Sequence, residues 1–152
     1  MTNANAAPAK TGALPMSGAE LRCLRERLGL TTRWLAEHLD VAERSVHRWE
    51  AGVQRVPDGV AAEVWRMDRV ARGELAVMGD HLDHRSFLVT SRSGSLMVVH
   101  PSVITYRSDE DYRAHHPEQD WPASWHRALC ARLADEVPGL RISYWQVDWG
   151  QS

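Results

Sequence analysis

Lysine is almost absent from this chain of 152 residues, and the one that is present, Lys10, lies in the N-terminal tail. A P-loop, a Schiff-base enzyme and a Ser–Lys dyad each need a lysine in the folded body, so all three are excluded. The sequence also lacks a nucleophile–base motif and a cofactor-binding loop. We therefore expect no enzymatic activity and no cofactor.

Cysteine is scarce as well, with Cys23 and Cys130 far apart and both in helical contexts. This pattern is typical of buried thiols rather than of a disulfide. The groups His81-Leu82-Asp83-His84, His115-His116 and His126 with Cys130 do not have the ligand spacing of a zinc ribbon or finger. We expect no metal site.

Long apolar runs are missing too, and the N-terminus has no signal-peptide hydrophobic region, so we expect a cytoplasmic protein without a membrane partner. The net charge of −2 gives no overall basic character. Its distribution is uneven, with seven Arg against six acids in residues 18–57 and five Arg against eight acids in residues 101–152. The acidic excess therefore lies in the C-terminal part.

The most informative stretch is DVAERSVHRWEAG, residues 40–52. At helical spacing Val46 and Trp49 face one way, and the charged residues face elsewhere. The preceding segment, LTTRWLAEHL, offers Thr31 as an N-cap and a second apolar face. Counted from Thr32, a small residue falls at position five, the turn at nine and Val46 at fifteen, which is the register of a helix-turn-helix.

The segment LRCLRERLGLTTRWLAEHLDVAERSVHRWEAG resembles the XRE-type, phage-repressor-like helix-turn-helix family, and the resemblance runs from about Ser17 to Val64. It implies that the second helix of the motif enters the DNA major groove. Asp40 departs from the family pattern because glycine is usual there, and Ala42 departs because Ser or Thr usually caps the recognition helix. These departures predict a turn that is less stable than average.

The resemblance also assigns roles within the motif, although a merely solvated helix face is the alternative for the two arginines of the recognition helix. It implies an ion pair between Arg25 and Glu50 that is structural. Base-reading positions are occupied by Glu43, Arg44 and Arg48. Backbone-contacting positions are occupied by Thr31, Thr32, Arg33, His47, Gln54 and Arg55, with His47 open between phosphate and solvent.

The rest of the chain predicts an α+β fold. Asp58 caps a long helix, which carries an apolar seam to Leu82 and continues into the C-terminal domain or against a second subunit. Strands are predicted at 87–90, 96–100, 103–106 and 140–147, and helices begin at Ser108 and Pro122. We divide the chain into a disordered tail (1–16), an all-α helix-turn-helix domain (17–70), a helical connection (71–85) and a small α+β dimerisation domain (86–149).

More loosely, this arrangement resembles the two-domain anti-CRISPR-associated autorepressors and the YdiL-like proteins. We predict a sequence-specific repressor that binds double-stranded DNA at an inverted repeat as a homodimer and regulates its own operon. The alternative is an antitoxin-like protein whose C-terminal domain binds another protein. RNA is not excluded as a ligand, but nothing indicates it. The predicted dimerisation residues are Leu75, Met78, Tyr106, Trp125, Leu129, Leu133, Tyr144 and Trp145.

Overall fold

Six helices and four short strands make up the chain in a computed structural model that describes residues 15–82 and 87–145. Most of the predicted N-terminal tail and the end of the last predicted strand therefore lie outside the described residues. The elements in chain order are α1 (Gly18–Arg27), α2 (Thr32–His38), α3 (Glu43–Glu50), α4 (Asp58–Asp80), β1 (Phe87–Thr90), β2 (Leu96–Val99), β3 (Ser102–Thr105), α5 (Asp109–His115), α6 (Ala123–Glu136) and β4 (Arg141–Tyr144).

The first two helices begin where the sequence places their caps. The Ser17 hydroxyl accepts a hydrogen bond from the Glu20 amide at 3.1 Å, and the Glu20 carboxylate accepts one from the Ser17 amide at 2.7 Å. The two bonds form a capping box. Thr31 caps α2 by accepting from the Trp34 amide at 3.0 Å. The starts of both helices are thus fixed by local sequence.

Helix α4 runs without interruption through Gly73, and its N-cap is Pro57 rather than Asp58. Its buried stripe continues past the N-terminal helices and packs against α6. Trp125, Leu129 and Leu133 of α6 belong to the same buried cluster as Leu21 of α1. The seam of α4 therefore continues into the C-terminal part of its own chain, and Ala71 and Leu75 belong to the shared buried cluster.

Gly29 shows how closely the two parts approach each other. It ends α1 with φ +69°, and a Cβ at this position would lie 2.3 Å from the Ser124 carbonyl oxygen of α6. Only glycine combines a left-handed backbone with the absence of a side chain. The first turn of α6 is therefore placed directly against the end of α1.

The C-terminal part forms two separate two-stranded sheets. Strands β1 and β2 pair antiparallel around a turn at Gly94, and β3 pairs with β4 in parallel through the crossover that contains α5 and α6. Every residue of β4 is exposed, so the described part of the chain covers neither face of this strand. No helix in the described ranges is long and apolar enough to cross a membrane.

The two cysteines differ in their surroundings. Cys23 is exposed, which contradicts the prediction that both thiols are buried. Cys130 is buried, and desolvation raises its pKa to about 11. Its sulfur lies 3.6 Å from Nδ1 of His126, the same nitrogen that lies 2.9 Å from the Thr105 hydroxyl. The contact between Thr105 and His126 joins the end of β3 to α6.

The predicted ion pair between Arg25 and Glu50 joins α1 to α3. Arg25 donates from Nε to Oε1 of Glu50 at 2.6 Å and from Nη2 to Oε2 at 3.0 Å. Its Nη1 donates to the Leu30 carbonyl at 2.9 Å. The two side chains are only 10% and 8% exposed, so each leaves an uncompensated buried charge if the other is removed.

We expect Glu50→Gln to lower the free energy of unfolding by about 3–5 kcal/mol, because it removes one partner of a buried, bidentate pair. Chemical denaturation followed by circular dichroism measures this change. Glu37→Gln is the matched control, since the Glu37–Arg33 pair is 66% and 79% exposed and should contribute about 1 kcal/mol or less. Equal stability of the Glu50 variant and the wild type would contradict a structural role.

His126 should make the stability of the protein depend on pH. Burial lowers its pKa to about 4, with smaller contributions from His116 and Arg127. The unfolded chain binds this proton near pH 6.5 and the folded chain only near pH 4, so stability is complete above pH 6.5 and falls between these values. We expect the difference in unfolding free energy between wild type and His126→Gln to shrink over this range, and a constant difference would contradict the assignment.

Candidate nucleic-acid interface

The turn between α2 and α3 has the compact geometry that a helix-turn-helix requires. The Val41 amide bonds to the Ala36 carbonyl at 3.0 Å, and Ala36 is buried where the two helices meet. Asp40 adopts the left-handed conformation with φ +53°, in the place where the family pattern has glycine. Ala42 is the N-cap of α3 and makes no side-chain capping bond. Both departures in the sequence thus appear as local defects of the turn.

Helix α3 divides cleanly into a buried side and an open side. Val46 is completely buried and Trp49 is 7% exposed, so these two residues anchor the helix in the core. Arg44 and Arg48 lie on the exposed side, four residues apart. Neither guanidinium forms an ion pair or hydrogen bond with any residue in 15–82 or 87–145. Two cations are therefore presented together with all their donors available.

Glu43, at the start of the same exposed side, is engaged within the motif. Its Oε1 accepts a hydrogen bond from the Thr32 hydroxyl at 2.6 Å and lies 3.7 Å from Nε2 of His47. The contact braces the first turn of α3 against the first turn of α2. A base-reading role for Glu43 would require this bond to be exchanged, whereas Arg44 and Arg48 need no such rearrangement.

Three further residues predicted to contact the DNA backbone lie on α2 and in the loop after α3. Arg33 pairs with Glu37 at 3.0 Å, and Arg55 pairs with Asp58 at 2.8 Å. Both pairs are well exposed and are therefore weak enough to exchange for a phosphate. Gln54 is exposed beside Arg55, and its backbone amide donates to the Arg48 carbonyl at 3.2 Å. This backbone bond joins the loop after α3 to α3 itself.

The predicted dimerisation residues fall into two groups. Tyr144 and Trp145 are 43% and 40% exposed, and Met78 is partly buried against the core. The other five side chains are buried within the chain itself and are not available to a second subunit in this conformation. They are Leu75, Tyr106, Trp125, Leu129 and Leu133.

A different set of apolar residues, on the strands, is exposed and was not predicted from the sequence. Leu96, Met97, Val98 and Val99 follow one another, and all are exposed, so both faces of β2 are apolar and open. Ile104 and Ile142 are likewise about half exposed on the second sheet. The signal was present in the run of four consecutive apolar residues, which does not alternate as a half-buried strand does.

Another contact that the sequence did not reveal links α2 to the segment before α6. Trp34 stacks on Trp121 with ring centroids 5.5 Å apart, and His38 stacks on Trp34 at 5.0 Å. His38 also lies 2.8 Å from Glu63, whose pKa is lowered to about 2 by its bonds to Arg66 and His38. The first helix of the motif is thus attached to the C-terminal part.

No group of three or more His, Cys, Asp or Glu side chains in the described part of the chain is arranged to hold a metal ion. Asp83 and His84 of the candidate group at 81–84 lie outside the described residues.

We expect Ala42→Ser to raise the free energy of unfolding by about 1 kcal/mol, because a serine hydroxyl would satisfy an amide in the first turn of α3. Asp40→Gly should raise it by a similar amount, about 1 kcal/mol, because glycine adopts the left-handed backbone without a Cβ clash. Thermal unfolding of both variants measures these gains. Ala62→Ser, at an exposed position inside α4 where no cap is missing, serves as the control and should not stabilise. If neither substitution raised the free energy of unfolding, the two assigned defects would be wrong.

A comparison with known protein families agrees with this geometry. A search of curated proteins finds no match to the chain. Residues 18–81 match a protein-family model described as a helix-turn-helix domain, and this range covers α1 to α4. The match agrees with the geometry of α2, α3 and the turn between them, which also describes a helix-turn-helix in this part of the chain.

Proposed function

We propose that this protein is a sequence-specific transcriptional repressor that binds an inverted repeat as a homodimer and regulates its own promoter. The observation that carries the proposal is the presentation of Arg44 and Arg48. They lie on one side of a helix whose other side is buried through Val46 and Trp49. An arginine can bond bidentately to a guanine edge, so two unpaired guanidinia at this spacing suit a major groove.

The test is the selection of a binding site from random duplexes, followed by footprinting on the DNA upstream of the gene. We expect an enriched pseudo-palindrome with half-sites about one helical turn apart and protection of the same sequence upstream. Selection without any enriched sequence would overturn sequence-specific binding. An enriched site that is absent upstream would overturn autoregulation alone.

We expect Arg44→Ala and Arg48→Ala each to cost about 1–3 kcal/mol on the operator and to relax the preference at one base position. The reason is that each guanidinium is free to bond a base edge. Binding to operator and scrambled duplexes is measured over a series of salt concentrations. Arg113→Ala, which removes the same charge from exposed α5, is the control. Equal losses of affinity for both duplexes would show that the proposed orientation of the recognition helix is wrong.

Arg55→Ala should weaken binding to operator and scrambled DNA alike and should lower the salt slope by about one, because a phosphate contact carries no base information. Its exposed partner Asp58 is readily given up on binding. A selective loss on the operator would instead make Arg55 a base-reading residue.

The homodimer is supported by the exposed apolar strands of the C-terminal part. A two-stranded hairpin is marginal alone in water, and a parallel sheet is normally covered on both faces. The β1–β2 hairpin nevertheless exposes Leu88 by 67%, Leu96 by 71% and Met97 by 56%. A second copy of the chain would bury these residues and would place two recognition helices on one duplex. The proposed interface therefore moves from the buried helix residues to the strands.

We expect Met97→Glu to convert a dimer to a monomer, since it puts a charge into an apolar interface. Light scattering after size exclusion at several concentrations measures the change. Arg92→Glu, in the polar hairpin turn, is the control and should stay dimeric. A wild-type chain that is monomeric at every concentration would contradict the homodimer and would leave a partner protein as the occupant of this surface.

A further inference from the structure

Three arginines from three helices meet at a cavity on the side of the molecule where α1, α4 and α6 come together. The cavity has a volume of about 430 Å³ and is lined by Arg27, Arg72, Leu75, Ala76, Arg132 and Glu136. No residue of α3 lines it, so it is separate from the recognition helix. Both the N-terminal helices and the C-terminal part contribute to its wall.

Two of these arginines are held in place by one buried carboxylate. Asp68 is 2% exposed, and its two oxygens are both used, one by Nη2 of Arg27 and the other by Nε of Arg72 at 2.8 Å. The guanidinia of Arg27 and Arg72 are still 43% and 61% exposed as side chains, so donors remain free on each of them. Asp68 thus orients the two cations without using up their charge.

Arg132 is the unexplained member of the cluster. Its Nη1 is buried and has no hydrogen-bond partner, and no other bond of its guanidinium is found among residues 15–82 and 87–145. Burial and the nearby charges of Arg27 and Arg72 lower its pKa, which means that the cation lies in an unfavourable place. A buried donor without a partner is rare in native proteins and calls for a specific explanation.

The charge balance gives that explanation. Three guanidinia face two carboxylates, so the cavity keeps a net positive charge. Asp68 already bonds through both of its oxygens, and Glu136 is exposed. We propose that it binds a small phosphorylated molecule, with the phosphate among the three arginines and the organic part against Leu75 and Ala76. A phosphate has oxygens in several directions and can accept from cations on three helices, whereas a carboxylate accepts within one plane.

The geometry also gives the site a position from which it can act on the fold. Arg27 ends α1, Arg72 lies on α4 and Arg132 lies on α6, so one anion bonded to all three would hold these helices together. Anything that binds the folded state alone stabilises it in proportion to its occupancy. The inference does not depend on DNA binding, and its failure would leave the proposed function untouched.

The experiment titrates the full chain with inorganic phosphate at constant ionic strength and follows the arginine Nε–H resonances and the thermal midpoint. We expect saturable binding with a dissociation constant below about 1 mM, shifts of the Arg132 resonance, and a rise in the midpoint. Chloride and citrate are the control anions, and neither should shift the Arg132 resonance or raise the midpoint. Binding that does not saturate, or an equal response to chloride, would overturn the site.

Arg132→Gln should weaken phosphate binding at least tenfold, and circular dichroism checks that the variant folds. Arg72→Gln is a second variant at a more exposed position and should weaken binding as well. Arg113→Gln on α5 removes an arginine outside the cavity and should bind phosphate like the wild type. An unchanged affinity in both cavity variants would overturn the proposal. Citrate binding equal to phosphate would assign the site to carboxylates, and displacement of phosphate by short duplex DNA would assign it to the nucleic-acid interface.

Discussion

The bidentate contact between Arg25 and Glu50 is the constraint on which the proposed recognition surface depends. Glu50 is the last residue of α3, and Arg25 holds it against α1 while also bonding the Leu30 carbonyl that leads into α2. One buried guanidinium therefore sets the relation of three helices. Because α3 has only eight residues and two apolar anchors, its orientation needs this polar contact in addition to Val46 and Trp49.

The helix-turn-helix region packs closely against the C-terminal part of the chain. Its core continues along α4 into α6, and Gly29 allows Ser124 to approach the end of α1. The Trp34–Trp121 stack adds a contact on another side. Since the N-terminal and C-terminal parts share buried surface, a change in one alters the free energy of the other. The arginine cavity lies at this junction.

Local polar defects or an open apolar surface are found at each of the places where binding is proposed. The turn before α3 keeps a left-handed Asp40 and an uncapped Ala42, and Arg132 keeps a buried donor without a partner. Exposed apolar side chains on the strands add a further unsatisfied surface. Sequences usually agree with their folds at every level, and exceptions gather at functional sites. The proposed DNA, subunit and anion contacts thus lie on three distinct parts of the chain.

The sequence by itself determined the helix-turn-helix, because its signals are local. The Ser17 and Thr31 caps, the spacing from Thr32 to Val46 and the two anchors of α3 each act within a few residues along the chain. Only the tertiary structure decided which apolar residues were left for a partner. Leu129 and Leu96 read alike in sequence, yet α4 covers the first while nothing among the described residues covers the second. Burial depends on contacts between distant segments, and a pattern of hydrophobicity along one segment does not specify which surface will cover it.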